Sequence, residues 1–210
     1  MAYSKVGIVN LAGGRIGIKP ISSLSENADL AIRANAVWEY VLDEVLEAKD
    51  WTFAKFRSAL EPSATTPENN WDFAYPLPEG FLRLVKHKKT ETKDDPPFYP
   101  TGYDYIIECL SDGTKCIFTD YDAEEAEQSP YVTYIKRIAD VSKFSANFIN
   151  ALSFRLAAEI ALNLSDSPMG KYEAMMKLYQ MALQKAEGVD RASDYQENAA
   201  GSTAWKDAGR

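Results

Sequence analysis

Ser142-Lys143-Phe144-Ser145-Ala146-Asn147-Phe148-Ile149-Asn150-Ala151-Leu152-Ser153-Phe154-Arg155-Leu156-Ala157-Ala158-Glu159-Ile160-Ala161-Leu162-Asn163-Leu164 decides the fold. With Ser142 as an N-cap, the run reads as a helix whose circumference is apolar nearly all round, Phe148, Ile149, Leu152, Leu156 and Ile160 among its members. Such a helix is buried, so other elements of the chain have to cover it. Arg155 and Glu159 stand i, i+4 on its one polar strip, a pairing that contributes about 0.2 to 0.5 kcal/mol when solvated.

Two further segments have the apolar faces to do the covering. Ser167-Pro168 is an N-cap followed by proline at the first helical position, and Tyr172, Met175, Met176, Tyr179, Ala182, Leu183 and Ala186 form a stripe that the pattern ends at Gly188. This helix is expected to make a hairpin with the preceding one. Near the N-terminus, Leu30, Ala34, Val37, Trp38, Val41, Leu42, Val45 and Leu46 recur at helical spacing from an N-cap at Ser25 to about Asp50. A shorter helix is expected from Lys5 to Ala12, ended by Gly13-Gly14.

Between these helices the character changes. Nine of the ten prolines lie at Pro20 or between Pro62 and Pro130, and short apolar-aromatic runs alternate with turn residues. Strands are expected over residues 51–60, 71–75, 81–86, 103–110, 115–120 and 131–136. The fold class is therefore α+β: a helical bundle from residues 1–50 and 137–188, a β-rich insert over 51–136, and an extended C-terminal tail over 189–210. The tail has Tyr195 and Trp205 as its only large apolar groups, too few for a core of its own.

Composition narrows the function classes. With 210 residues, 46% hydrophobic and 26% charged, the chain fits one globular domain or two small ones, which excludes disordered, collagen-like and fibrous classes. Twenty-three Lys plus Arg against 31 Asp plus Glu give a net charge of −8, a field that repels phosphate backbones. The longest uncharged apolar run falls short of a membrane span, and the first twenty residues lack the pattern of a signal peptide, so cytosolic synthesis is expected. Cys109 and Cys116 flank an Asp112-Gly113 hairpin centre, and a two-residue loop there sets them face to face; in a reducing compartment they are expected to be free thiols.

Residues that carry chemistry are sparse. His87, the single histidine, lies in Lys86-His87-Lys88-Lys89 and reads as a solvated strand end rather than a general base. Gly13-Gly14-Arg15-Ile16-Gly17 lacks the Lys-Ser/Thr ending of a phosphate-binding loop and the strand-to-helix context of a dinucleotide site. Asp120, Asp122, Glu124, Glu125 and Glu127 offer oxygen ligands without the spacing of a calcium loop, and read as a solvated acidic loop. Met175, Met176 and Met181 read as core filling, with an adaptable contact surface as the alternative. No catalytic, cofactor or metal site is expected, and the chain reads as a non-enzyme.

Several blocks, in order, carry a resemblance. They are Ile21-Ser22-Ser23-Leu24-Ser25-Glu26-Asn27 followed by Ala31; Trp51-Thr52-Phe53-Ala54; Trp71-Asp72-Phe73-Ala74-Tyr75-Pro76-Leu77-Pro78-Glu79-Gly80-Phe81; and Leu152 through Leu164 followed by Ser165-Asp166-Ser167. With Ser202, Trp205 and Arg210 they resemble the head-to-tail adaptor family of short-tailed bacteriophages, tail tubular protein A. The resemblance implies a helical bundle with a β-rich insert, assembled as a ring, commonly of twelve copies, between the portal protein and the tail nozzle protein. It implies no catalysis, a location in the virion neck after assembly in the host cytoplasm, and DNA passing through without sequence-specific binding. The chain departs from the family's pattern in residues 88–100 and 120–127.

Compositional reasoning adds Tyr195, Trp205 and Arg210 as the groups that grip the portal or a neighbouring subunit, because aromatic and Arg side chains dominate interface energetics. Two other function classes stay open at this level. One is a host-directed binding protein that uses the β insert as its recognition module; the other is a carboxylate-dependent hydrolase built on residues 120–127.

Overall fold

A computed structural model describes residues 3–65, 67, 70–85, 103–164 and 167–199. The chain is mixed α+β: among the described residues are four α-helices and two small antiparallel sheets. It divides into two compact units, residues 1–53 with 139–210, and residues 54–138.

In the first unit α1 (Lys5–Arg15), α2 (Asp29–Glu47) and α4 (Pro168–Ala199) all pack against α3 (Ala146–Leu164). The core helix contributes Phe148, Leu152, Leu156 and Ile160, each buried, and α2 meets it with Val41, Leu42, Val45 and Leu46. Burying one such side chain stabilises by about 1.5 to 3 kcal/mol. An aromatic cluster closes the N-terminal end of α3: the rings of Trp51 and Phe53 each lie 5.0 Å from that of Phe148, and Phe144 lies 4.7 Å from it. Trp51 also donates its indole N–H to the Val45 carbonyl at 2.7 Å, which satisfies the polar atom of a buried ring.

Local capping departs from expectation at four helix ends. Ser25 is not an N-cap. Glu26 Oε1 accepts the backbone N–H groups of Ser22 and Ser23 at 2.8 and 2.9 Å, folding the serine run into a turn, and α2 begins at Asp29 with no side-chain cap. Nor does Gly13-Gly14 end α1, which runs to Arg15 before Gly17 adopts a φ of 84°. Gly13 serves contact instead, since a Cβ there would stand 2.8 Å from Leu30 Cδ2. At α3 the serine that caps is Ser145, whose Oγ accepts the Phe148 N–H at 3.3 Å, while Ser142 bonds Asp140 in a preceding 3-10 turn.

The fourth correction concerns the extended tail expected from residue 189. α4 continues through Gly188 to Ala199, so Tyr195 sits on helical backbone. The physical reason is that one glycine inside a helix costs about 1 kcal/mol, less than is needed to stop a helix that is already propagating without a proline. Residues 200–210, with Trp205 and Arg210, lie outside the described residues.

The second unit contains β1 (Lys55–Ala59), β2 (Phe73–Pro76), β3 (Phe81–Leu84), β4 (Tyr105–Cys109), β5 (Lys115–Thr119) and β6 (Tyr131–Lys136). One sheet has the order β1-β6-β3 and the other β2-β5-β4. Side chains alternate across each sheet. Tyr75 and Ile117 from one sheet and Val132 and Tyr134 from the other form a shared core with Leu60 and Tyr121. On the opposite side of β5, Cys116 and Phe118 pack with Ala74 and Leu110.

The β4–β5 hairpin corrects the cysteine geometry. Leu110 donates to the Thr114 carbonyl and Gly113 to the Leu110 carbonyl, so the loop has the three residues Ser111, Asp112 and Gly113. Gly113 closes it at a φ of 86°, the left-handed residue that follows a type I turn in such loops. The register then pairs Cys109 with Lys115 and Glu108 with Cys116. A one-residue change of register flips a side chain to the other face, so Cys109 is exposed, Cys116 is buried, and the two thiols are free and cannot meet.

Two outcomes are expected. Leu156→Ala truncates a fully buried side chain of α3 and should cost about 2 to 5 kcal/mol; an unchanged denaturant midpoint contradicts the central place of this helix. Thiol titration of the native protein should count one reactive group, Cys109, and the denatured protein two; two fast thiols in the native state contradict the register.

Candidate functional site

Among the described residues, a strongly polar assembly of the helical unit grows out of the Arg155–Glu159 pair. Arg155 is only 7% exposed, on the side of α3 that α2 and α4 cover. Its Nε donates to Glu44 Oε1 of α2 at 2.8 Å, and its Nη1 donates to Glu159 Oε1. Tyr40 of α2 lies within the electrostatic reach of Glu159 and Arg155, and Tyr179 of α4 lies buried within that of Glu44 and Arg155.

The electrostatics follow from this enclosure. Burial pulls the Arg155 pKa down, but hydrogen bonds and charge from Glu44 and Glu159 outweigh it and hold the group above its ordinary range, so it stays cationic. Tyr40 is raised well above the usual phenol value, by burial first and then by the hydrogen bond and charge of Glu159. Tyr179 is pushed up to about 12, by burial first and then by the charge of Glu44, with Arg155 acting in the opposite direction. None of these groups is poised to exchange a proton near neutrality. The cluster is a polar junction of three helices.

A second cation lies on α3 from the other side. The Arg15 guanidinium stacks 3.3 Å above the Phe154 ring, and its Nη2 donates to Asn150 Oδ1 at 2.8 Å. Lys171 of α4 donates to the carbonyl of Ile16 at 3.0 Å. Together they tie the end of α1, including the Gly13–Gly17 segment, to α3 and α4 by structural contacts.

Two carboxylates of the acidic loop, Asp120 and Asp122, accept backbone N–H groups. Asp122 Oδ1 accepts the N–H groups of Glu124 and Glu125 at 2.8 and 3.1 Å, and Asp120 Oδ1 accepts the N–H of Asp72 at 3.3 Å. Two buried tyrosines anchor the loop from beneath. Tyr75 donates its hydroxyl to the Tyr121 carbonyl and accepts the Ala123 N–H, and Tyr121 donates its hydroxyl to the Gln128 carbonyl. Glu124, Glu125 and Glu127 are exposed. Among the described residues no group of three His, Cys, Asp or Glu side chains is placed to hold a metal ion, and no helix is long and apolar enough to cross a membrane.

Of the other residues singled out in the sequence, Met175 and Met176 are half-buried while Met181 is exposed, and His87 lies outside the described residues. Tyr195 has a described helical backbone, and Trp205 and Arg210 have none. Arg155 and Glu159 were legible as an i, i+4 pair; Glu44, Tyr40 and Tyr179 were not, because they come from helices whose facing is set by packing. The signal that points toward them is a cation in a helix otherwise apolar all round, which demands partners from its neighbours.

Compared with protein-family models and with curated proteins, the chain matches none.

The raised tyrosines make an alkaline prediction. Unfolded tyrosine ionises near 10, whereas folded Tyr179 holds its proton to about 12. A group whose folded pKa is raised gives stability that is present below the unfolded pKa and lost as pH climbs through the folded one. Stability should therefore fall between about pH 10 and 12, and Tyr179→Phe should flatten that fall; a Phe variant with the same alkaline profile contradicts the burial of this phenol.

Proposed function

We propose that the chain is a structural subunit of the head-to-tail adaptor kind: a non-enzymatic virion protein that assembles as a ring between a portal protein and a tail nozzle protein and lets DNA pass. The single observation that carries this is chain order. Residues 1–53 and 139–210 make one unit, with helices among its described residues, into which a unit whose described residues carry β1 to β6, residues 54–138, is spliced, and the helical bundle with a β-rich insert is the organisation that the resemblance implies.

Other features agree with it. The surplus of carboxylates suits a conduit, because phosphates slide past a like-charged wall and stick to a basic one through released counterions. Arg155, Glu44, Arg15 and Lys171 are committed to joining helices, and Asp122 to shaping the acidic loop, as a rigid assembly part requires. α4 has 32 residues against the 19 of α3. At 1.5 Å per residue it is long enough to carry Tyr195 past the end of its hairpin partner; we assign Tyr195, Trp205 and Arg210 to the grip on the portal. The location that follows is the virion neck.

One mass experiment with two arms tests this. Sedimentation of the full chain, alone and with the portal ring of the same phage, should show a multimeric ring in at least the second arm; a chain monomeric in both overturns the reading. Truncation after Ala199 should leave the melting transition in place and abolish co-sedimentation with portal rings, whereas attachment at unchanged affinity removes Trp205 and Arg210 from the grip.

A further inference from the structure

A ring requires two different surfaces on each copy that fit one another, because a self-complementary patch stops at a dimer. Resting on the ring reading above, we propose that these surfaces are the outward ridge of α2 on one copy and the outward ridge of α4 on the next. Each helix turns one face to α3 and leaves another in solvent.

On α2 the outward ridge is Ile32, Ala36 and Tyr40, spaced by four; Ile32 is 50% and Tyr40 46% exposed. On α4 it is Ala174, Leu178 and Met181, spaced by four and three; Leu178 is 36% and Met181 55% exposed. Both spacings are those of neighbours on one helix face, so each ridge is continuous and sets a small alanine beside large apolar groups. Ridges of that kind interdigitate between helices.

Charge selects the pairing. Along α2 the ridge is accompanied by Asp29, Glu39, Asp43 and Glu47 against the lone cation Arg33; Glu39 also lies 3.7 Å from Lys5. Along α4 up to Ala186 it is accompanied by Lys177 and Lys185 against Glu173, while Lys171 is turned to the Ile16 carbonyl of its own chain. An α2 ridge opposite another α2 ridge, or α4 opposite α4, sets like charges together, which disfavours the contact. Only the mixed pairing brings opposite charges around the apolar contact, and that pairing is heterologous, so it propagates from copy to copy.

Tyr40 stands at the end of the α2 ridge, 46% exposed. An exposed aromatic ring there suits the centre of an interface, where aromatic side chains carry much of the binding energy.

Cross-linking tests the assignment in the full chain. In a Cys109→Ser background, with Cys116 buried and unreactive, Ala36→Cys plus Leu178→Cys on one chain should give a ladder of covalent multimers with a short bismaleimide. A mixture of the two single variants should give dimers, and neither single variant alone should do so. Oligomers by mass that carry no 36–178 cross-link overturn the interface and leave the ring standing. A wild-type chain that stays monomeric with and without the portal ends both readings. As a second measure, Lys177→Glu with Lys185→Glu should weaken self-association roughly tenfold or more with an unchanged melting transition; association at wild-type strength counts against the pairing.

Discussion

The burial of α3 is the constraint on which the helical unit depends. A helix with Phe148, Leu152, Leu156 and Ile160 turned inward and alanines filling the rest of its circumference has almost no face it can give to water. Covering it takes α1 and α2 from the start of the chain and α4 from the end. That requirement draws residues 1–53 to residues 139–210 and leaves everything between them to fold as a separate unit.

Within so apolar a setting, Arg155 is the exception that organises its neighbours. Removing a guanidinium from water costs several kcal/mol unless its donors find acceptors, and replacing such a group by an apolar one is often neutral. Stability alone therefore gives little reason for the cluster. Specificity gives a better one, because Glu44 and Glu159 can both reach Arg155 only if α2 sits at one rotation and one height on α3. The same arrangement brings Tyr40 of α2 within electrostatic reach of Glu159 and Arg155.

The β unit obtains its order differently. Its two sheets share the side chains of Tyr75, Ile117, Val132 and Tyr134, and two of its buried phenols reach out of that core to hold the carbonyls of the acidic loop. A loop of this composition needs such anchors, since exposed carboxylates repel one another and supply no apolar area. Its rigidity comes from Tyr75 and Tyr121 beneath, and from the backbone bonds that Asp122 accepts.

Much of this was written in the residues. Hydrophobic period, proline and glycine punctuation and aromatic runs are local quantities, and from them came the buried character of α3, the stripes of α2 and α4, the six strands and the α+β class. What the sequence could not supply are quantities fixed by other parts of the chain. The Asp112-Gly113 pair announced a hairpin, but whether its loop held two residues or three depended on the packing of Ile117 against Tyr75 and of Cys116 against Ala74, and that single residue separated the two thiols. Gly188 carried a stop signal that helix propagation overrode, and Ser25 carried a capping signal that Glu26 diverted into a turn. Arg155 showed only Glu159, its partner on the same helix; Glu44, Tyr40 and Tyr179 joined it through the facing of three helices. Period and propensity are set by neighbours in the chain, whereas register, helix rotation and the partners of a buried charge are set by neighbours in space, and only the tertiary structure decides those.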